Sequence, residues 1–430
     1  MSTKEKLTID QKLKAKKIKR PPYVIYNVLG RIWQLLFFKK YGVKVTYETD
    51  VRKEKNPHIL ISNHTSRMDY IFTGVPVLPN TYNFVAGYNE FFRSHLKGVF
   101  NLLQVIPKKN FTPDFYAVKT VTKILKSGGN ILIYPEGMNS ISGANQPVAI
   151  GTGKFLKAFK VPVYYSYIKG GHLTCPKYTL NESPGRVEVT IGKMFSVEDL
   201  ESLTPEQIED ILNEKLYQDD YKWNKIHKYK YKTNGKAADG LHDLLFWCPK
   251  CGSQLTMHSE NDVIKCTHCG NGATVDDTYQ MTPFNSDCVI PDTQTKWFNK
   301  QRDVIKEEVK NPDFSYTIDV SMGVLPDFEP LKDYKTSEIV GEGKLTIDLS
   351  GLTYNGTKKG ENYTFHLTPQ QVPTMGMCTD ISRFYTFVDG EFTEFYPKTH
   401  CTERFFLCVE EVHRISGGKW QDFKFDKNSK

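Results

Sequence analysis

Two sets of side chains stand at spacings that chemistry uses. Cys248 and Cys251, then Cys266 and Cys269, form two Cys-x2-Cys pairs with fourteen residues between them, and each pair is followed by a glycine, Gly252 or Gly270. Four thiolates so spaced can close a tetrahedron around Zn²⁺; with every position filled by sulfur, none remains for water or substrate, so the metal is expected to be structural. His258 and His268 lie in the same stretch, but the sulfurs already complete the coordination. The second set lies in "ILISNHTSRMDY", where His64 follows an apolar run and Asp69 stands five residues on. An imidazole that takes a proton from a hydroxyl needs a carboxylate to fix its tautomer and stabilise the imidazolium. The same pair also fits a polar turn capping a strand, and spacing alone leaves both readings open.

A reactive histidine must be held by a framework. "HILIS" (58–62), "NFVAG" (83–87), "NILIYP" (130–135), "VPVYYSYI" (161–168) and "RVEVTIG" (186–192) are rich in Ile, Val and Tyr and bounded by Gly, Pro or Asn, which predicts strands. "PDFYAVKTVTKILKSGG" predicts a helix that turns Phe115, Val118, Val121, Ile124 and Leu125 toward a core and ends at two glycines. Strands separated by helices predict an α/β domain, a mixed sheet with flanking helices. His64 then emerges at the C-terminal end of a strand, the edge where open α/β sheets bind ligands.

Three further features follow in order. Lys108 and Lys109 close the run "NLLQVIPKKN", Glu136 and Gly137 sit in "YPEGMNS" at a strand end, and "VPVYYSY" supplies a proline-containing strand. With Asn63, His64 and Asp69, this ordered set resembles the glycerophospholipid acyltransferase family, whose familiar members are 1-acylglycerol-3-phosphate acyltransferases. Asn63, His64 and Asp69 match its Asn-His-x4-Asp block, and Lys108 its second-block basic residue. Pro135 to Ser140 stand where the family has Pro-Glu-Gly-Thr-Arg-Ser, and Val161, Pro162 and Val163 match the fourth block. The resemblance covers roughly residues 30 to 195.

It implies transfer of a fatty acyl group from acyl-CoA or acyl-carrier protein to a hydroxyl of a lysophospholipid, foremost 1-acylglycerol-3-phosphate. His64 is then the general base and Asp69 its orienting partner; neither a catalytic cofactor nor an acyl-enzyme is expected. An acceptor phosphate needs cations or backbone amides. Lys108, Lys109 and the turn at Gly137 can serve, Glu136 can bind an acceptor hydroxyl or support the site, and Asn63 joins the candidate substrate-binding set. Two departures weaken bidentate phosphate clamping: Asn139 stands where the family has arginine, and the second-block arginine is a lysine. Arg67, beside the His-Asp pair, is a candidate replacement cation. Met138 and Asn139 also motivate a competing reading, a catalytically silent lipid-binding or zinc-ribbon scaffold.

At 430 residues the chain exceeds one ordinary core. A content of 39% hydrophobic and 13% aromatic residues excludes wholesale disorder. Net charge is +8, and eight Lys or Arg against two acids in the first twenty residues predict a basic flexible tail over 1–22, either solvated or bound to an anionic surface. "YVIYNVLGRIWQLLFF" is too short and interrupted to span a bilayer; it reads as an interfacial amphipathic helix or one packed on the domain behind it. No cleavage site follows it. Paired cysteines without a disulfide framework predict a reducing cytoplasm, with the protein peripheral on the inner face of a membrane of anionic phospholipid. The acyltransferase domain is expected over 23–235, with helices capped by Ser196 and Thr204 and a polar linker "HKYKYKTNGKAADG" near its end. A small zinc ribbon follows at 241–280; its cysteine stretch, 248–270, has only Lys250 and Lys265 as cations and no stacking aromatic, so nucleic acid is not an expected partner. A β-rich C-terminal domain over 290–430 resembles a pleckstrin-homology barrel in pattern, with turns at Asn355-Gly356 and Asp389-Gly390 and a late amphipathic helix near "RFFLCVEEVHRI".

Overall fold

The structure is a computed structural model that describes residues 6–332 and 335–419. Seven strands form the first sheet: β1 (Val43–Tyr47), β2 (Ile59–Ser62), β3 (Tyr82–Gly87), β4 (Ile106–Lys108), β5 (Asn130–Ile133), β6 (Val163–Lys169) and β7 (Val187–Phe195). Their order is β1-β7-β6-β2-β5-β3-β4, parallel throughout except for the antiparallel β6–β7 pair. The central strands β2 and β5 carry unbroken apolar runs, Ile59–Ile61 and Ile131–Ile133, because both faces are covered. Ile59, Ile61 and Ile131 join Val121, Ile124 and Leu156 on one face; Leu60 and Leu132 join Ile71, Phe72 and Tyr164 on the other. β1, which the sequence reading passed over, lies at the sheet edge and alternates half-buried Val43, Val45 and Tyr47 with exposed Lys44 and Thr46.

The helix Phe115–Lys126 starts where Asp114 accepts from the Ala117 N–H at 3.0 Å. Its buried stripe is Ala117, Thr120, Val121, Ile124 and Leu125, whereas Phe115 is 85% exposed and Val118 also faces solvent. At 100° per residue Phe115 falls on nearly the opposite side from that stripe, which corrects the expected packing face.

Residues 6–22, expected to be a flexible tail, lie along the domain instead. Thr8 and Gln11 form a capping box on the helix Ile9–Ala15. Asp10 accepts from the Tyr88 hydroxyl, Lys16 donates to Asn101, and the Lys19 N–H donates to Gln104. The next helix, Tyr23–Trp33, runs into a wider π turn at Gln34–Phe38. It combines the two expectations. Tyr26 and Gly30 are buried, with Leu29, Trp33 and Phe37 packed beside them, while Tyr23, Val24, Ile25, Val28, Ile32, Leu35 and Leu36 remain exposed.

Capped helices follow at Val197–Ser202 and Pro205–Leu216, each with a complete capping box on Ser196 or Thr204. The segment read as a polar linker is buried at its apolar residues. Tyr231, Ala237 and Ala238 enter a core that also holds Met138, Leu173, Cys248, Ile264, Trp297, Val320 and Phe405. That core joins the end of the α/β domain, the cysteine segment and the C-terminal sheet without a break.

The cysteine segment forms a four-stranded antiparallel sheet from Met257–Glu260, Val263–Cys266, Gly272–Val275 and Met281–Pro283. Beyond the helix Gln294–Glu308, seven antiparallel strands between Ser315 and Pro397 make the C-terminal sheet. Asp389 and Gly390 take positive φ of 51° and 78° in a two-residue hairpin, as expected. Asn355-Gly356 is not a turn but lies inside the strand Gly351–Lys358, and the chain reverses at Lys359-Gly360. Gly356 serves close strand approach: a Cβ there would meet the Glu342 carbonyl at 2.4 Å. The late helix, Thr402–Ile415, is not amphipathic in place, since every residue from Thr402 to His413 is buried. Two of its buried carboxylates share one partner, Arg302 pairing with Glu410 at 2.8 Å and Glu411 at 3.0 Å.

Candidate active site and cysteine cluster

The site grows out of the β2–β5 register. Ile59, Leu60 and Ile61 pair with Ile131, Leu132 and Ile133, an offset that carries on beyond the strand ends to place residues 64 and 136 side by side. The His64 N–H accordingly donates to Glu136 Oε1 at 2.8 Å, and the His64 carbonyl accepts from the Ser140 N–H at 2.7 Å. Two loops remote in sequence are thus tied together beneath the imidazole.

The ring is held on two sides. Nδ1 lies 2.8 Å from Asp69 Oδ2, and Tyr134 stacks on the ring with centroids 4.3 Å apart. Asp69 is 1% exposed and opens the helix Asp69–Gly74. Its carboxylate also accepts from the N–H and hydroxyl groups of both Thr65 and Ser66. Four protein donors besides the histidine stabilise the ionised carboxylate, which in turn favours Nδ1–H on His64. Nε2 is then the basic nitrogen, on a side chain 23% exposed where its partner is closed off. This arrangement suits proton abstraction from a hydroxyl at Nε2.

Glu136 is 1% exposed and takes further bonds from Asn145 Nδ2 at 2.8 Å and the Gln146 N–H at 3.1 Å. Burial pushes its carboxyl well above the ordinary range against the pull of these donors. It holds the two loops together. Gly137 turns with φ of +78°, and its carbonyl accepts from Asn110 at 2.8 Å.

The remaining candidate substrate ligands have other partners. Asn63 is fully buried and spends both ends of its amide on the Ile168 peptide at 2.8 Å each, clamping β2 to β6. Arg67 donates to the carbonyls of Thr179, Leu180 and Asn181 at 2.8–3.2 Å, anchoring that loop. Lys109 reaches the Gly390 carbonyl at the tip of the C-terminal hairpin, over the rings of Tyr88 and Phe387. Asn139 Oδ1 accepts from Lys177 Nζ at 2.7 Å, and Lys177 also donates to the Met377 carbonyl at 2.7 Å. Met138, at the position expected to be threonine, packs into the C-terminal core, where its sulfur accepts from the Met377 N–H. Lys108 is the least committed of these cations, with one contact at 3.3 Å to the Lys109 carbonyl; burial lowers its pKa.

Sequence reasoning missed Tyr134, Asn145 and Lys177. Tyr134 was within reach, because a residue just before Pro135-Glu136 must lie beside His64 once β2 and β5 pair in parallel. Lys177 carried no local signal; its role depends on a C-terminal segment two hundred residues away.

The four cysteines converge as their spacing predicted. All four sulfurs lie within 4.8 Å of one another, with Cys248–Cys269 at 3.7 Å and Cys251–Cys266 at 3.9 Å. A tetrahedron with bonds of about 2.3 Å has edges of about 3.8 Å, so the donor set fits Zn²⁺. Both knuckles close alike: the Gly252 N–H returns to the Cys248 carbonyl at 2.9 Å, the Gly270 N–H to that of Cys266 at 3.0 Å, and each glycine has φ of +75°. Thr256 and Asn271 supply polar neighbours to Cys266 and Cys248.

Residues 42–169, which hold β1 to β6 and the loops that carry His64 and Glu136, match the acyltransferase protein family. Among solved structures the chain is similar to the 1-acyl-sn-glycerophosphate (LPA) acyltransferase PlsC from Thermotoga maritima, at 19% identity and a TM-score of 0.37, over 48% of this chain and 79% of that one. None of the curated proteins matches the chain. Among the described residues no helix is long and apolar enough to cross a membrane.

Proposed function

We propose that the protein is an O-acyltransferase that moves a fatty acyl group from acyl-CoA or acyl-carrier protein to a lysophospholipid hydroxyl, with 1-acylglycerol-3-phosphate the first acceptor to examine. The observation that carries this reading is His64 fixed at Nδ1 by buried Asp69, with its side chain still open to solvent. In the proposed step the acceptor hydroxyl gives its proton to Nε2 as its oxygen attacks the thioester carbonyl. Collapse of the tetrahedral intermediate expels the thiolate, which recovers that proton from the imidazolium, so neither an acyl-enzyme nor a cofactor is needed. Lys108 takes the acceptor phosphate, since Arg67, Lys109 and Lys177 are held by carbonyls. Thiol release with a panel of acceptors tests this: His64→Ala ends turnover, and Lys108→Met raises KM for phosphate-bearing acceptors above that for neutral ones. Sustained turnover by His64→Ala would overturn the His64 mechanism, and absence of thiol release by the wild type would leave the scaffold reading.

The cysteine cluster is proposed to hold one structural Zn²⁺ through Cys248, Cys251, Cys266 and Cys269, which makes this segment a zinc ribbon. The ion would supply cross-linking and no chemistry. Because the cluster opens into the shared core, chelation should lower Tm by more than 5 °C, and elemental analysis should find zinc in untreated protein but not in Cys251→Ser. Chelation without effect on Tm would count against a structural metal.

The exposed stripe Tyr23, Val24, Ile25, Val28, Ile32, Leu35 and Leu36 supports peripheral binding to the cytoplasmic face of a membrane, as monomeric surfaces rarely leave so continuous an apolar face uncovered. Flotation with anionic phospholipid vesicles should carry the protein upward, and Ile32→Glu with Leu35→Glu should leave it at the bottom. Equal flotation of both proteins would refute this surface.

A further inference from the structure

A second cluster of ligand atoms lies away from both sites. The loop entering the last helix brings His400 to the short helix Leu241–Leu244, so that His400 Nδ1 is 2.7 Å from Asp243 Oδ1. His242 Nε2 is 3.8 Å from the same oxygen, and the ligand atoms of the three residues lie within 4.8 Å of one another. A third imidazole, His258 on the strand Met257–Glu260, has its ring centre 5.6 Å from that of His242, which is 5.4 Å from that of His400. A simple ion pair would need only one imidazole on Asp243. The two rings that face this carboxylate, His242 and His400, would repel each other if both were protonated, but both can offer lone pairs to one ion.

His242 is oriented for such a role. Ser259 faces its Nδ1 with a hydroxyl oxygen at 2.8 Å and its N–H at 3.2 Å, leaving Nε2 as the nitrogen turned to Asp243. A hydrogen bond at the non-ligating nitrogen is the usual device that fixes a metal-binding imidazole. Side-chain exposure is 19% for His242, 17% for Asp243 and 78% for His400, so the cluster is anchored on one side and open to an arriving ion on the other.

We propose that His242, Asp243 and His400 bind a divalent transition-metal ion of the zinc, nickel or copper class. Imidazole nitrogen with carboxylate oxygen is a donor set these ions prefer, in contrast to the all-sulfur cysteine cluster. On binding, His242 presents the Nε2 lone pair and keeps its ring proton at Nδ1, donated to Ser259 Oγ, at the cost of the longer bond from the Ser259 N–H. His400 exchanges its hydrogen bond to Asp243 for a bond to the ion. The ion then ties the short helix Leu241–Leu244 to a loop 157 residues further along the chain.

The test is metal content of the full-length protein after loading with Zn²⁺ and desalting, compared with His400→Ala and Asp243→Asn. The wild type is expected to retain one equivalent more than either variant, whatever the cysteine cluster itself contributes. Zn²⁺ should also raise Tm further in the wild type than in His400→Ala. With Co²⁺, the wild-type-minus-variant spectrum should show d–d bands without thiolate charge transfer. Equal metal content in wild type and His400→Ala, at a position too exposed for the change to disturb the core, overturns the proposal.

Discussion

The turn from Asn63 to Asp69 and the loop from Glu136 to Asn139 meet under one imidazole, yet they use their polar atoms in opposite ways. In the turn, Thr65, Ser66 and Asp69 satisfy one another and leave a single group, the His64 ring, partly open. In the loop, Glu136 is consumed by Asn145, Gln146 and the His64 backbone, Met138 by the C-terminal core, and Asn139 by Lys177. The first is built around an imidazole that stays open to solvent. The second is built as a joint between domains, and its differences from the Pro-Glu-Gly-Thr-Arg-Ser pattern fall where the C-terminal segment touches it.

That contrast can be broken by separating activity from stability. The largest effect is expected at His64. His64→Ala should lower turnover by about 10²–10⁴-fold while unfolding free energy changes by less than about 1 kcal/mol, measured by thiol release and denaturant titration. A comparable loss of stability would mean that the ring is a structural pillar. Asp69→Asn should lower both: turnover by about 10²-fold through the lost tautomer control, and stability by about 3 kcal/mol, because an amide cannot accept all five of the bonds made to the carboxylate.

Lys177→Met should give the inverse signature, with turnover changed by less than about 10-fold. Burial pushes the Lys177 ammonium down to about 8 from its ordinary 10.5. Below pH 8 both folded and unfolded chains hold the proton and the group contributes no slope. Between about 8 and 10.5 the unfolded chain holds more, so its contribution to stability rises with pH, at up to about 1.4 kcal/mol per unit. Denaturant titrations from pH 7 to 10.5 should show this rise in the wild type and its loss in Lys177→Met. Identical profiles would place the Lys177 pKa outside that window.

Much of this was legible in sequence where the signal is local. The caps at Ser196 and Thr204, the Asp389-Gly390 turn and the two cysteine knuckles each need only a few consecutive residues, and each formed as expected. The errors lie where exposure decides. "HKYKYKTNGKAADG" looks solvated by composition, yet Tyr231, Ala237 and Ala238 are core; "RFFLCVEEVHRI" looks one-sided, yet every residue of it through His413 is buried. Asn355-Gly356 has the composition of a turn, and only the neighbouring strand shows why glycine is required there.

By itself the sequence determined which atoms could do chemistry: an imidazole five residues from a carboxylate, and two pairs of thiols separated by fourteen residues. Spacing sufficed because a short turn or knuckle brings such groups together with little help from the rest of the chain. Only the tertiary structure decided which polar groups remain available. Asn63, Arg67, Lys109 and Asn139 look equivalent to free ligands in sequence, but β6, the 179–181 loop, the C-terminal hairpin and Lys177 have taken them. A buried donor or acceptor must be satisfied, and the partner that satisfies it can come from anywhere in the chain.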